Sequence, residues 1–103
     1  MSQTELTYEF VNWLHGYESD PIQIVAEPDD IRCEVRKIEI FRDGTGLAVS
    51  LSQAENGSTF LSWEPWPTTN SINEDGNGTF EAKRRTKEHF EKLWTGAILP
   101  QTL

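Results

Sequence analysis

The fold is decided by residues 31–44, which read IRCEVRKIEIFRDG. Apolar residues alternate with polar ones along this stretch, as in a strand with one buried face. The alternation changes phase partway. The first apolar residues are at odd-numbered positions (Ile31, Cys33 and Val35), whereas the later ones are at even-numbered positions (Ile38 and Ile40). We therefore predict one long strand with a β-bulge near Arg36 and Lys37, since a bulge inserts one extra residue and switches the phase.

A hairpin turn is predicted directly after this strand. Asp43 and Gly44 provide the turn, since glycine adopts positive φ without steric cost. Leu47, Val49 and Leu51 then alternate with small residues, which indicates a second strand with one apolar side. Residues 31–51 are therefore predicted to form two antiparallel strands, around which the rest of the chain is arranged.

Further strands flank this pair on both sides. Aromatic and β-branched residues predict strands at residues 6–14, 22–27 and 59–63, and an edge strand or extended segment at residues 79–85. A short helical turn is predicted within residues 68–75.

The chain closes with a predicted helix. Thr86 is placed to cap it, and it runs to about Thr95 before Gly96. Its apolar side chains recur with helical spacing at Phe90, Leu93, Trp94 and Ala97. The expected fold is α+β: an antiparallel sheet of about five strands with the C-terminal helix packed on one face. We expect a single domain over residues 1–103, with its core at about 6–97.

Charge is distributed very unevenly along the chain. The net charge is −8, and no lysine or arginine precedes Arg32. The first 31 residues carry seven carboxylates, namely Glu5, Glu9, Glu18, Asp20, Glu27, Asp29 and Asp30. Such a field attracts cationic partners and repels nucleic acid and anionic membranes. The sequence therefore predicts a cationic protein partner, with no nucleic acid and no membrane.

Motifs for catalysis and for cofactors are missing from the sequence. Two histidines and one cysteine give no zinc spacing, and no glycine-rich phosphate loop is present. Cys33 is expected to be a buried structural residue. We therefore predict that the protein is not an enzyme and has neither metal nor cofactor. The basic run from Lys83 to Lys87 is either a solvated edge that discourages strand pairing or a phosphate site beside a helix start.

The cellular location follows from similar reasoning. The chain has one cysteine, does not begin like a signal peptide, and has no apolar run near the ~20 residues of a membrane helix. These features predict a protein of a reducing cytoplasm.

Several motifs resemble an uncharacterised bacterial domain family of short, acidic, cytoplasmic proteins. The resemblance covers roughly residues 8–97 and rests on three pieces: a Trp-x-His strand at 13–15, a Glu-Val-Arg-Lys-x-Glu-x-Phe-x-Asp-Gly hairpin at 34–44, and a Glu-x-x-Trp helix at 91–94. It implies a fold without established catalytic residues. By size, charge and class, the chain is also similar to immunity proteins of contact-dependent growth inhibition and other polymorphic toxin systems.

The leading hypothesis is an immunity-type protein that neutralises a cognate bacterial toxin domain, such as a basic nuclease, through its acidic surface. The predicted partner-binding residues are Glu18, Asp20, Glu27, Asp29, Asp30 and Trp66. Trp66 stands between two prolines, where no strand continues, so it is either an apolar interface anchor or a residue at the edge of the core.

Two alternatives remain open. One is a small-ligand or metal-binding domain that uses His15, Glu34, Arg36 and Glu39, although Glu34, Arg36, Lys37 and Glu39 are expected as cross-strand pairs on a solvated face. The other is a regulatory module of a larger complex.

Overall fold

The computed structural model describes residues 8–29, 31–57, 59–62, 65–66, 69–75 and 79–98. Its elements, in chain order, are β1 (Tyr8–Trp13), β2 (Gln23–Pro28), β3 (Glu34–Ile40), β4 (Gly46–Ser50), β5 (Glu55–Asn56), β6 (Thr59–Phe60), α1 (Thr69–Asp75), β7 (Phe80–Arg85) and α2 (Lys87–Gly96). Within the described residues, no helix has the length and apolarity to span a bilayer.

Five strands form one antiparallel sheet in the order β4-β3-β2-β1-β7. The predicted sheet of about five antiparallel strands and the C-terminal helix are confirmed, and β5 and β6 add a small second sheet. The turn at Asp43 and Gly44 joins β3 to β4, and Gly44 has a φ of 92°, a value that glycine adopts without strain. Residues 79–85 were predicted as either an edge strand or an extended segment, and β7 is an edge strand of the sheet.

One face of the sheet is lined by aromatic and aliphatic side chains. This Phe10 face consists of Tyr8, Phe10, Val25, Ile38 and Ala48. Phe90 of α2 belongs to the same buried cluster, with its ring 4.9 Å from that of Tyr8. The helical spacing predicted from the sequence therefore brings an aromatic ring of α2 into the core.

The opposite face contains charged residues in its centre. This Glu9 face consists of Glu9, Val11, Ala26, Lys37 and Val49, all of which are buried. Thr59 and Leu61, from the chain that follows β5, are buried as well. Because carboxylates and ammonium groups are rarely buried unless they are paired, this face needs internal partners for its charges.

The predicted bulge is present and lies at Val35, one residue before the expected position. Glu27 pairs with Arg36 and Pro28 pairs with Glu34, so Val35 has no partner across β2. Since each residue along a strand switches face, the extra residue moves Glu34 to the face that Lys37 occupies.

Two sequence expectations about this region are wrong. Glu34 and Lys37 are buried instead of lying on a solvated face, because the bulge brings Glu34 to the Glu9 face, where Lys37 pairs with it. Ile31 was expected on the buried parity, but it is 70% exposed. β3 begins only at Glu34, so Ile31 lies in the preceding turn, where strand alternation does not apply.

Both edges of the sheet are partly covered. At β7, the side-chain amide of Asn73 in α1 donates to the carbonyl of Ala82 (3.1 Å) and accepts from its N–H (2.8 Å). At β4, Ile98 forms a parallel bridge with Leu47. These contacts satisfy backbone groups that would otherwise be open to another strand.

α2 begins where the sequence predicts. The hydroxyl of Thr86 accepts a hydrogen bond from the N–H of His89 (3.3 Å), and the helix spans Lys87–Gly96. This is the usual bond of an N-cap threonine, which satisfies one of the free N–H groups at a helix start.

Candidate functional site

The predicted acidic surface is divided between the two ends of the sheet. Glu18 and Asp20 lie in the loop between β1 and β2, whereas Glu27 and Asp29 lie at the far end of β2. We call these the His15 end (residues 14–22 and 41–45) and the Cys33 end (residues 29, 31–33 and 51–54). A six-residue strand at about 3.3 Å per residue separates them by about 20 Å. Asp30 lies outside the described residues.

Glu27 is engaged within the fold. Its carboxylate accepts from Arg36 Nε (2.6 Å) and from the hydroxyl of Tyr8 (3.1 Å). Arg36 also bonds Glu91 through both terminal nitrogens, and its guanidinium lies 4.7 Å from the centroid of the Phe90 ring. Glu27 and Glu91 therefore share the single positive charge of Arg36.

The same ion pair shifts the pKa values of its members. Hydrogen bonds from Arg36 lower the pKa of Glu91 below the ordinary carboxyl value. Hydrogen bonding to Glu91 raises the pKa of Arg36, although burial opposes that shift. Burial, with the charge of Glu27, raises the pKa of Tyr8. Arg36 therefore ties β3 to α2 through charged hydrogen bonds.

Asp29 is exposed, but its carboxylate shapes the turn before β3. Its Oδ1 accepts from the N–H groups of Ile31 (3.0 Å) and Cys33 (2.9 Å). This arrangement is an Asx turn, and it accompanies the left-handed backbone of Arg32 (φ 68°). Asp29 thus combines a structural role with an exposed charge.

Trp66 is half-buried at the edge of the Glu9 face. Its indole N–H donates to Glu34 (2.6 Å), and its carbonyl accepts from Arg32 Nε (2.9 Å). Ser62 N also donates to Glu34 (2.7 Å), and Lys37 Nζ lies 3.4 Å from the same carboxylate. These surroundings match the core-edge alternative for Trp66.

A second buried carboxylate, Glu9, was assigned from the sequence only to the general acid excess. Glu9 is fully buried and accepts from Arg32 (2.9 Å) and from the Thr69 hydroxyl (2.7 Å), with Arg84 at 3.7 Å. The sequence signal was its parity with Val11 in an apolar strand, which places it on a buried face. Arg84, a member of the basic run from Lys83 to Lys87, therefore forms an ion pair with a buried residue of the fold.

The four residues of the alternative ligand site lie apart. Glu34 and Arg36 are on opposite faces of β3, Glu39 accepts from the Thr59 hydroxyl (2.7 Å), and His15 bonds the carbonyl of Pro21 (2.7 Å). Among the described residues, no three His, Cys, Asp or Glu side chains are grouped so that they could hold a metal ion.

An apolar groove opens at the Cys33 end. It encloses about 270 Å³, and its lining includes Cys33, Val35, Leu51, Ala54, Leu61 and Asp29. Cys33 is half-buried there, less than the full burial that the sequence predicts. Leu51, in this lining, is 68% exposed. Phe60 precedes the lining residue Leu61 in the chain and is 59% exposed, and Ile31, two positions from both Asp29 and Cys33, is 70% exposed.

Comparisons with known proteins agree with the coarsest expectation from the sequence. A protein-family model described as "Domain of unknown function (DUF6881)" matches residues 7–99. No curated protein and no solved structure matches the chain.

Proposed function

Since the chain belongs to the DUF6881 family, whose description carries no activity, we propose from its surface that it is a protein-binding domain of the immunity type. Its groove at the Cys33 end would dock onto a basic bacterial toxin domain and neutralise it. The observation that carries this proposal is the apolar groove itself, whose lining includes the exposed side chain of Leu51.

The chemistry of the groove fits a protein partner. Stable protein interfaces have an apolar centre and a polar rim. Here Val35, Leu51 and Leu61 supply the centre, while Asp29 lies at the rim and the exposed Glu55 follows Ala54 in the chain. A volume of about 270 Å³ suits one or two apolar side chains of a partner.

Charge supports a basic partner. The net charge of −8 raises the encounter rate with a cationic surface, because complementary potentials steer association. Asp29 contributes at the groove itself. Glu18 and Asp20, at the other end of the sheet, contribute through the long-range field. Glu27 is less available to a partner, because its carboxylate already bonds Arg36 and Tyr8.

The scaffold supports binding rather than chemistry. The buried ion pairs of Glu9 and Glu34 fix the chain around the groove, and a pre-formed site loses less entropy on binding. We also propose that α2 covers the Phe10 face, which the burial of Phe90 supports. With that face covered, the toxin domain would dock at the Cys33 end of the sheet. We propose that this binding takes place in the cytoplasm and involves no catalysis.

The test uses exposed residues, so that folding is preserved. The candidate partner is the C-terminal domain of a secreted protein whose gene lies next to that of this chain. The affinity of the two proteins is measured by calorimetry. Leu51→Ser and Leu51→Asp should each weaken binding by about ten-fold or more, as expected for an interface anchor. Leu14→Ser, which replaces a half-exposed residue at the His15 end, is the matched control and should bind like the wild type.

Two results would contradict the proposal. One is unchanged affinity in both groove variants, with the fold verified by circular dichroism. The other is an association rate that does not fall as salt is raised, because steering between exposed charges is screened within a Debye length.

A further inference from the structure

A row of four rings runs along the His15 end of the sheet and ends in solvent. Phe80 and Trp13 are stacked with centroids 5.9 Å apart, His15 lies 4.2 Å from Trp13, and Tyr17 is stacked on His15 at 5.3 Å. We call this row the aromatic ladder. The last ring, Tyr17, is 64% exposed, so one aromatic surface is available to a partner.

The ladder is held rigidly by hydrogen bonds to the backbone. His15 Nε2 donates to the carbonyl of Pro21 (2.7 Å), and Nδ1 accepts from the N–H of Tyr17 (2.9 Å). The guanidinium of Arg42 donates to the carbonyls of His15 (3.0 Å) and Tyr17 (3.1 Å). Tyr17 is therefore presented by a fixed loop, which lowers the entropy lost on binding.

Charge around the ladder is negative. Residues 14–22 and 41–45 contain three carboxylates (Glu18, Asp20 and Asp43) and one guanidinium, Arg42. A hydrogen bond from the N–H of Thr45 lowers the pKa of Asp43, so that its charge persists. Because Arg42 is engaged with backbone carbonyls, the carboxylates are available to an incoming cation.

A shallow depression adjoins the exposed end of the ladder. It measures about 430 Å³, and its lining includes Glu18, Arg42 and Asp43. Glu18 follows Tyr17 directly in the chain. An aromatic face and two carboxylates beside one depression are the parts that a guanidinium uses, since it stacks on rings and bonds carboxylates through its planar fork.

We propose that the His15 end is a second binding site, which takes an arginine-bearing segment of a protein partner. The guanidinium stacks on Tyr17 and pairs with Glu18 or Asp43. The chain already contains this geometry internally, because the guanidinium of Arg36 lies 4.8 Å from the Trp94 ring centroid and bonds Glu91. The site lies about 20 Å from the groove and does not depend on the function proposed for it.

The experiment is an NMR titration of the isotope-labelled full chain with hexa-arginine, followed through backbone amides and the Trp13 indole. At low salt, we expect shift changes confined to Tyr17, Glu18, Arg42, Asp43 and Trp13. Hexa-lysine should bind more weakly, because an ammonium lacks the planar stacking surface.

Variants separate the ring from the charge. Tyr17→Ala changes no charge and should weaken hexa-arginine binding by about five-fold or more, whereas Tyr17→Phe keeps the ring and should retain it. Ser52→Ala, at an exposed position of the Cys33 end, should bind like the wild type. The dispersion of the amide spectrum verifies that each variant is folded.

Three outcomes would overturn this proposal. Equal affinity in Tyr17→Ala and the wild type would show that the ring takes no part. Shift changes centred on Asp29 or Glu55 would place the cation at the other end. Binding of a neutral oligosaccharide such as cellohexaose at Tyr17, without binding of hexa-arginine, would assign the ladder to sugars. These three readouts concern only the His15 end. If the groove variants bound the toxin domain like the wild type, the groove proposal would fail and the hexa-arginine results would not change.

Discussion

Glu9 illustrates how a single residue changes meaning once its partners are known. Its carboxylate is fully buried between Arg32, Thr69 and Arg84, which come from three different parts of the chain. A buried carboxylate is tolerated only when charged and polar donors surround it. The sequence shows an acid in the N-terminal excess, whereas the fold uses that acid as an internal anchor.

Replacement of Glu9 should therefore be severe. Glu9→Ala removes the buried carboxylate that accepts from Arg32 and Thr69 and should lower the free energy of unfolding by about 1–3 kcal/mol, as for other lost buried hydrogen-bond partners. Urea denaturation followed by tryptophan fluorescence measures the loss. The control is Glu81→Ala, an exposed position of β7, which should change stability by about 0.5 kcal/mol or less. Similar effects of the two substitutions would contradict the role of Glu9.

Arg36 and Glu91 form the second residue-scale anchor, and this one should respond to pH. Hydrogen bonds from Arg36 lower the pKa of Glu91 from its ordinary value of 4.5 in the folded state. A depressed folded pKa contributes stability that is fully present above pH 4.5 and is lost as pH falls through the lower folded value. The wild type should thus lose stability below pH 4.5 more steeply than Glu91→Gln, when unfolding free energies are measured across acid pH. Parallel curves for the two proteins would argue against this linkage.

At the scale of elements, local signals decided most of what the sequence could predict. The turn at Asp43 and Gly44, the strand alternation and the cap at Thr86 depend on neighbouring residues, so these features are readable from the chain. The bulge was located to within one residue, because the apolar phase changes there. The burial of Glu34 could not be predicted, because it depends on Ser62 and Trp66, which are distant in sequence.

The candidate sites were less predictable than the elements. The two prolines that flank Trp66 predict an exposed side chain, yet its indole N–H donates to Glu34 within the fold. The exposure of Ile31 and the stacking of Tyr17 on His15 depend on the loops at the ends of the sheet. Strand periodicity carries no information about such loops.

The N-cap of α2 gives an element-scale prediction. Thr86→Ala removes the acceptor of the His89 N–H and should lower the free energy of unfolding by about 1 kcal/mol. Thr86→Ser retains a hydroxyl and should restore most of that loss. Thermal and urea unfolding of the three proteins provide the comparison. Equal stabilities would mean that the helix start is held by other contacts.

At the scale of the whole molecule, the charge of −8 has two separate parts. Glu9, Glu27, Glu34 and Glu91 are paired with basic residues, and these pairs lie mostly within the fold. The exposed remainder, which includes Glu18, Asp43, Glu55, Glu74 and Glu88, is predominantly negative and repels itself. Solubility and partner steering depend on this remainder.

Added salt should therefore stabilise the protein slightly. Salt screens repulsion between exposed carboxylates but screens buried pairs much less. The free energy of unfolding should rise by up to about 1 kcal/mol from low to high sodium chloride, since surface interactions have this size. Urea titrations at two salt concentrations measure the change. A decrease would mean that exposed attractive pairs outweigh the repulsion.

The amide of Asn73 has a consequence for how the protein ages. Its Nδ2 donates to the carbonyl of Ala82 while its Oδ1 accepts from the N–H of the same residue, so deamidation would replace the donor with an oxygen facing another oxygen. The outer rim of β7 would then be left open to a strand from a second copy. Asn73→Asp makes this change directly and should accumulate dimers and fibrillar aggregates by light scattering, whereas the wild type should not.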